Sequence, residues 1–344
     1  MNHTLEIIKA NFKNQLEKGH ILKFQELIHN YTVSPSLEFK IKTWYNEIID
    51  QDYIPDFPPG LEEIFIHSPE ELVFKTNSSQ FLFECLLNEQ DLQLSLEVIA
   101  LKNKQSWNFK TPFISFTTKI KDVDVRVSLT HYSVSPLRKS KAFIRILNKK
   151  PIDLNSYLNK EEKIFVKTLI EEKKNILIAG PTGSGKTTFA NSLLQIIPED
   201  DHLIILEDTF ELISPNSKTT RMLSESKNES KSINSYLSYA MRMSPDRIIL
   251  GEIRSKEVES IILALNTGHN GLLSTVHANS AKDAITRLAL LFKIYSNKDL
   301  SFELILKLIC ENIDYVFFLE NKKIKEMINV IGSEKENIFY DNAI

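Results

Sequence analysis

The chain is poor in the residues that mark several protein classes. Its 344 residues include two cysteines, Cys85 and Cys310, each in apolar surroundings, so they read as small core residues rather than a disulfide or metal pair. No low-complexity tract or internal repeat occurs. No apolar run approaches the roughly 20 residues that cross a bilayer, and the amino terminus lacks the charged-then-apolar order of a signal peptide. The formal net charge of -3 supplies no global basic field for nucleic acid. These absences lead to the expectation of a cytoplasmic protein in a reducing compartment, with any membrane role peripheral. The length suggests two domains, each large enough for its own core.

Glycine is scarce but unevenly placed. Six of the nine lie between Gly180 and Gly271. Three fall in Gly180-Pro181-Thr182-Gly183-Ser184-Gly185-Lys186-Thr187, which fits the phosphate-binding pattern G-x-x-x-x-G-K-[ST] without a mismatch. Glycines let successive backbone N–H groups converge on an anion. The apolar run from Asn175 to Ala179 predicts a buried strand before the loop, and Thr187 to Leu194 predicts a helix after it. The phosphates of a nucleotide would then lie at a helix N-terminus, where unpaired N–H groups and the macrodipole favour negative charge. Lys186 would reach the β- and γ-phosphates, and the Thr187 hydroxyl would ligate Mg²⁺.

Around this motif the pattern alternates. Residues 1–55 predict helices: Thr4 caps Leu5, Ile8, Phe12 and Leu16, and Ser34-Pro35 opens a second helix. Pro55, Pro58, Pro59 and Gly60 make a linker. From 60 to 150 the pattern is mixed α+β, with a hairpin around Ser68-Pro69 and alternating strands at 123–129 and 142–147. Six Lys or Arg and no acid lie between Arg138 and Lys150, and Asn148 to Pro151 forms a polar joint. From 151 to 344, strands at 203–207, 247–251 and 272–276 alternate with helices at 233–242, 256–266 and 283–295. That order implies an α/β unit with a parallel sheet covered on both faces, whose ligands bind beyond the carboxyl ends of the strands.

Three further segments end an apolar strand in polar chemistry. Glu207-Asp208 follows Leu203 to Leu206, either to orient magnesium-bound or attacking water or as a solvated turn. Glu252 follows Ile248 to Gly251, where a carboxylate either holds Mg²⁺ through water or activates the hydrolytic water. His269 and His277 bracket the strand at 272–276, and His277 is placed to sense a γ-phosphate.

Together these blocks resemble the traffic ATPases of bacterial type II and type IV secretion systems. The resemblance rests on Gly180 to Thr188, the aspartate box Leu206-Glu207-Asp208-Thr209-Phe210-Glu211-Leu212, the block Pro245 to Arg254, and the histidine box Asn266-Thr267-Gly268-His269 through His277-Ala278-Asn279-Ser280. It covers roughly residues 60–344. The histidine box is similar both to the conjugation and effector-secretion branch and to the tight-adherence pilus branch, with Ala281 to Leu288 nearer the second. The resemblance implies an N-terminal α+β domain, a RecA-like ATPase domain, ATP and Mg²⁺ as ligands, and a hexameric ring serving an inner-membrane platform protein. It implies no direct nucleic-acid partner. It also implies nucleotide contacts from Gly180, Pro181, Thr182, Gly183, Ser184, Gly185, Lys186, Thr187 and Thr188. Thr187 and Glu252 would serve the metal, Glu252, Glu207 and His277 the hydrolysis, and Arg126 and Arg145 would close on the phosphates from the N-terminal domain. Two departures stand out: Thr130-His131-Tyr132-Ser133 replaces the family's paired prolines, and Ser255 replaces a common glycine. A nucleic-acid motor and an assembly protein that binds nucleotide with negligible turnover are the rival readings.

Overall fold

The computed structural model describes residues 2–76, 78–147, 151–225, 228–296 and 298–343. They divide into two compact units, Met1–Leu147 and Asn148–Ile344. Most of the expected polar joint, with Lys149 and Lys150 of the basic run, lies outside the described residues.

In the first unit α1 (Asn2–Glu17), α2 (Phe24–Ile28) and α3 (Pro35–Asp50) precede β1 (Leu61–Ser68), β2 (Glu71–Thr76) and β3 (Gln80–Phe83). Next come α4 (Glu89–Lys102), β4 (Phe113–Ile120), β5 (Val123–Thr130) and β6 (Lys141–Ile146). Among the described residues these strands form one antiparallel sheet in the order β3-β2-β1-β6-β5-β4. Ser34 caps α3 by accepting from the Leu37 amide at 3.4 Å, with Pro35 in the first turn. The first helix starts at Asn2, so Thr4 lies inside it rather than capping it. The hairpin around Pro69 forms with Ser68 opposite Glu71.

The opening helices share the sheet's core. Ile8, Phe12, Ile41 and Trp44 bury in one cluster with Ile64, Leu92, Val127 and Ile144, so the proline-rich stretch at 55–60 does not divide the core. A carboxylate ties three helices together inside it. Asp91 on α4 accepts from Lys9 Nζ at 2.7 Å and from Trp44 Nε1 at 2.9 Å.

The second unit opens with α5 (Lys160–Glu171), capped by Asn159, and β7 (Ile176–Ala179). Then follow α6 (Lys186–Leu194), β8 (Leu203–Glu207), β9 (Thr219–Leu223), α7 (Ile233–Ala240), β10 (Arg247–Leu250), α8 (Glu257–Asn266) and β11 (Leu273–Val276). The chain continues through α9 (Ala281–Tyr295), α10 (Phe302–Asn312), β12 (Tyr315–Glu320), β13 (Lys323–Glu334) and β14 (Asn337–Asn342). Among the described residues the sheet runs β14-β13-β12-β7-β11-β10-β8-β9. From β12 to β9 neighbours are parallel; β13 and β14 are added antiparallel.

Alternation along the strands sorts the core into two layers. Leu177, Ile204, Ile248 and Val276 point to a cluster with Leu237, Ile261, Leu288 and Ile309 of α7 to α10. Ile176, Ile178, Ile205 and Ile249 point to the other face, against Val166 of α5 and Phe189 and Leu193 of α6. Both faces are therefore covered. The α/β class expected from the sequence is the class observed, with the antiparallel pair at one edge as an addition.

Asn175 aligns the strands at their amino ends. Its Oδ1 accepts from the Gly271 and Leu272 amides at 2.8 and 3.0 Å, and its Nδ2 donates to the Asn312 carbonyl at 2.8 Å. Its own amide donates to Asp314 at 2.7 Å. One buried side chain thus joins β7 to the segments that feed β11 and β12.

Candidate nucleotide site

The phosphate loop leaves the carboxyl end of β7 and returns as α6, the strand–loop–helix order that the sequence implied. Gly180 has φ +152°, and a side chain there would collide with the Leu319 carbonyl and Ser184 Oγ. Gly185, at φ +93°, caps α6 in the left-handed region. Thr187 and Thr188 fall in the first turn of α6, half-buried. Pro181, Thr182 and Gly183 form the exposed crest of the loop.

Lys186 is buried to 7 % exposure. Its ammonium donates to the Gly180 and Pro181 carbonyls at 2.8 and 2.9 Å and to His277 Nδ1 at 3.2 Å. His277 follows β11, and its Nε2 stands 3.3 Å from Glu252 Oε1. Glu252 follows β10, and its Oε2 accepts from Arg254 at 2.7 Å. Arg254 in turn reaches Asp208, beyond β8, at 2.6 Å. A continuous polar chain therefore runs Lys186–His277–Glu252–Arg254–Asp208 across the exits of four parallel strands.

Protonation follows from this geometry. Burial and the neighbouring Lys186 ammonium hold the His277 imidazole below its usual pKa. Neutral His277 accepts from Lys186 at Nδ1, so its proton sits on Nε2, the nitrogen that faces Glu252. Burial alone would raise the Glu252 carboxyl. The Arg254 hydrogen bond and charge, with His277 and Lys186 behind them, outweigh burial and hold it below the usual carboxylate range. Glu252 is an anion at neutral pH, and each oxygen keeps a second acceptor site beyond the bonds just described.

Glu207 takes a different position from the water-orienting one expected of it. It is 2 % exposed. Its Oε1 accepts from the Glu211 and Leu212 amides at 2.9 and 2.7 Å, and its Oε2 from Arg221 at 3.1 Å. Burial pushes its carboxyl up to about 7, against the pull of those amides and of Arg221. Glu207 shapes the 208–212 loop, which Asn191 of α6 also holds through the Glu211 carbonyl and the Ile213 amide. Ser255, the departure from glycine, donates its hydroxyl to Glu257 at 2.9 Å and helps close the turn after Arg254. His269 sits at the opposite end of β11 from His277, against the Ala264 carbonyl at the end of α8.

Arg126 and Arg145 belong to the first unit. They are direct cross-strand partners on β5 and β6, with Glu63 opposite Arg145 on β1. Both project from the face opposite the buried Val125, Val127 and Ile144, so the two guanidinium groups share one side of that sheet. His131, where the family's prolines are replaced, is buried and accepts from the Ser133 amide at 3.2 Å.

The donor set fits a nucleotide-bound Mg²⁺. Ser184 Oγ is a buried polar atom without a hydrogen-bond partner inside the loop, and the Thr187 hydroxyl stands at the start of α6. Among the described residues no group of three or more acidic, histidine or cysteine side chains forms a metal cage.

The sequence reading left Asp208 only the water-orienting or solvated-turn alternatives it shares with Glu207, and assigned Arg254 no role, although both stood in the quoted blocks. Their signal was the charge placed two residues after Glu252 and one after Glu207.

A glycine-lined loop between a buried parallel strand and a helix, faced by a lysine, a histidine and a carboxylate from neighbouring strand ends, defines a phosphate-loop nucleotide site on a RecA-like sheet. The family described as "Type II/IV secretion system protein" matches residues 91–327. The chain belongs to that family of secretion traffic ATPases. It is 38% identical over 143 residues to "Type IV secretion system protein VirB11" of Bartonella henselae, covering 41% of this chain and 40% of the relative. It is 34% identical over 174 residues to "Conjugal transfer protein TrbB" of Rhizobium radiobacter, covering 48% and 51%. The matches thus span about two fifths to one half of these relatives' length. Among solved structures, the Legionella pneumophila ATPase DotB aligns with TM-score 0.56 at 16% identity, over 91% of this chain and 81% of that one. The pilus retraction motor PilT with bound ADP aligns with TM-score 0.54 at 18% identity, over 82% and 78%. Among the described residues no helix is long and apolar enough to cross a membrane.

Proposed function

We propose that this chain hydrolyses ATP and works as the motor of a type IV secretion or pilus-type assembly machine. The observation that carries the reading is the Lys186–His277–Glu252 contact at the mouth of the phosphate loop. The loop amides and Lys186 bind and neutralise the phosphates. Thr187, with Glu252 through water, would hold Mg²⁺, which when bound supplies further charge neutralisation at the β- and γ-oxygens. Glu252 orients the attacking water, and His277, between Lys186 at Nδ1 and Glu252 at Nε2, holds the two in register and is placed to sense the γ-phosphate. Glu207 acts as a positioning residue through the 208–212 loop. Arg126 and Arg145 close on the phosphates as additional cations.

The named relatives weigh toward the type IV secretion and conjugation branch over the tight-adherence pilus that the Ala281 to Leu288 continuation favoured. In this reading the active form is a ring of six copies, cytoplasmic and docked on an inner-membrane platform protein. The loss of a triphosphate contact on hydrolysis changes which arrangement of the two units is favoured, and the ring passes that cycle to its partner.

The test is hydrolysis and nucleotide binding by the purified protein. Lys186→Ala weakens binding, whereas Glu252→Gln keeps binding and loses about two to three orders of magnitude in rate, or roughly 3–4 kcal/mol of transition-state stabilisation. Equal turnover in Glu252→Gln removes that residue from the mechanism. Wild-type protein that binds but never turns over returns the chain to a nucleotide-dependent assembly factor.

A further inference from the structure

The tip of the β12–β13 hairpin lies against the phosphate loop. β12 runs parallel to β7 with Phe318 opposite Ala179, so the two strands end level and the turn after β12 meets the loop after β7. The Lys322 amide donates to the Ser184 carbonyl at 3.2 Å. The Cα, Cβ and Cγ of Lys322 pass 3.7–3.8 Å from the point where a Gly185 side chain would begin. The stem of this lysine therefore runs along the residue that precedes Lys186.

The turn holds Lys322 in a strained register. Asn321 and Lys322 have φ of 51° and 61°, the two left-handed residues of a tight hairpin connection. Asparagine and glycine tolerate that geometry, whereas lysine is disfavoured there by its Cβ.

The direction of approach separates Lys322 from the hydrolytic groups. Glu252 and His277 come from β10 and β11, on one flank of β7, whereas Lys322 comes from β12 on the other. On the proposed mechanism, in which Glu252 orients the attacking water, the Glu252 flank is the γ-phosphate side. A cation on the opposite flank would then meet the phosphate groups that ATP and ADP have in common. Resting on the nucleotide-site reading above, we propose that Lys322 is a second nucleotide-binding cation, acting on the phosphates shared by ATP and ADP.

The experiment uses the full chain with Lys322→Asn, which suits the left-handed turn and keeps the amide bond to Ser184, and Lys322→Arg, which keeps the charge. Calorimetric titration with ATP and with ADP is paired with steady-state hydrolysis. Lys322→Asn weakens both nucleotides by the same factor, about tenfold, and the effect appears in KM far more than in kcat. Lys322→Arg recovers most of the affinity. The proposal is overturned by unchanged affinity for both nucleotides in Lys322→Asn, by a loss in kcat at constant KM, or by a loss that Lys322→Arg fails to rescue. If Lys186→Ala weakens binding while Lys322→Asn leaves the affinity for both nucleotides unchanged, this inference alone falls. If the wild-type chain binds neither nucleotide, the nucleotide-site reading falls with it.

Discussion

Lys186 and His277, 91 positions apart in the chain, meet at 3.2 Å with the lysine as donor and the imidazole as acceptor. This contact requires a neutral histidine. Protonated His277 would face the Lys186 ammonium as a like charge and would have no lone pair to offer it.

A pH dependence follows. The folded pKa of His277 lies below the ordinary histidine value of about 6.5. The contact is fully present above that unfolded value and is lost as pH falls through the lower folded one. Hydrolysis should therefore show an acid limb as His277 protonates, below the ordinary histidine range. In His277→Gln, which cannot titrate there, the limb should move or vanish while turnover drops. An identical acid limb in that variant would rule out His277 as its source.

Arg254 bridges Glu252 and Asp208 with separate guanidinium nitrogens. Arg254→Ala leaves the burial of Glu252 opposed only by His277 and Lys186, so its carboxyl rises. Turnover at neutral pH should fall about tenfold or more with nucleotide affinity nearly unchanged. Arg254→Lys should recover little, because an ammonium lacks the planar fork that spans two carboxylates. A pure affinity loss would show that Arg254 serves the nucleotide directly.

Glu207 makes a stability prediction of the opposite sign to His277. Its folded pKa of about 7 exceeds the ordinary glutamate value of about 4.5, so the folded state binds the proton more tightly. Stability from this group declines as pH rises from the lower value to the higher, by roughly 2–4 kcal/mol for a shift of this size. Melting temperatures from pH about 5 to about 8 should fall less steeply in Glu207→Gln than in the wild-type chain. Parallel curves would mean that the carboxylate is ionised throughout and its amide donors win.

Arg247 is the largest fully buried side chain, and its Nε donates to Asp201 at 2.6 Å. Arg247→Ala leaves Asp201 only the longer Lys173 contact at 3.9 Å and opens a void beside Gly271, whose Cβ position lies 3.0 Å from the Arg247 Cγ. The expected cost is about 3–5 kcal/mol, read as a lower denaturant midpoint. A loss below about 1 kcal/mol would show that water takes over the pairing.

The parts of the fold that were legible share a physical reason. β8 and β10 carry unbroken apolar runs, Leu203 to Leu206 and Ile248 to Leu250, β11 is buried throughout, and α3 carries its Ser-Pro start in plain view. β13 and β14 were missed because their turns give no glycine signal: Asn321, Lys322 and Lys335 all take positive φ without one. The site was legible where chemistry follows a strand directly, as at Lys186, Glu252 and His277. It was misread at Glu207, because no spacing reveals whether a carboxylate turns toward solvent or back to the amides of its own loop. Arg254 was passed over for a related reason: a cation two residues past an acid looks like surface until a second acid arrives from another strand.

Asn175 gives the second unit a common zero point. By anchoring three chain segments at the floor of the sheet, it sets where each begins counting residues toward the rim. Gly180, His277 and the hairpin carrying Lys322 crown those same three strands, so their mutual spacing is measured from a single amide buried far beneath them. A disturbance at the floor would reach the rim as misregistration, without touching any group that handles phosphate.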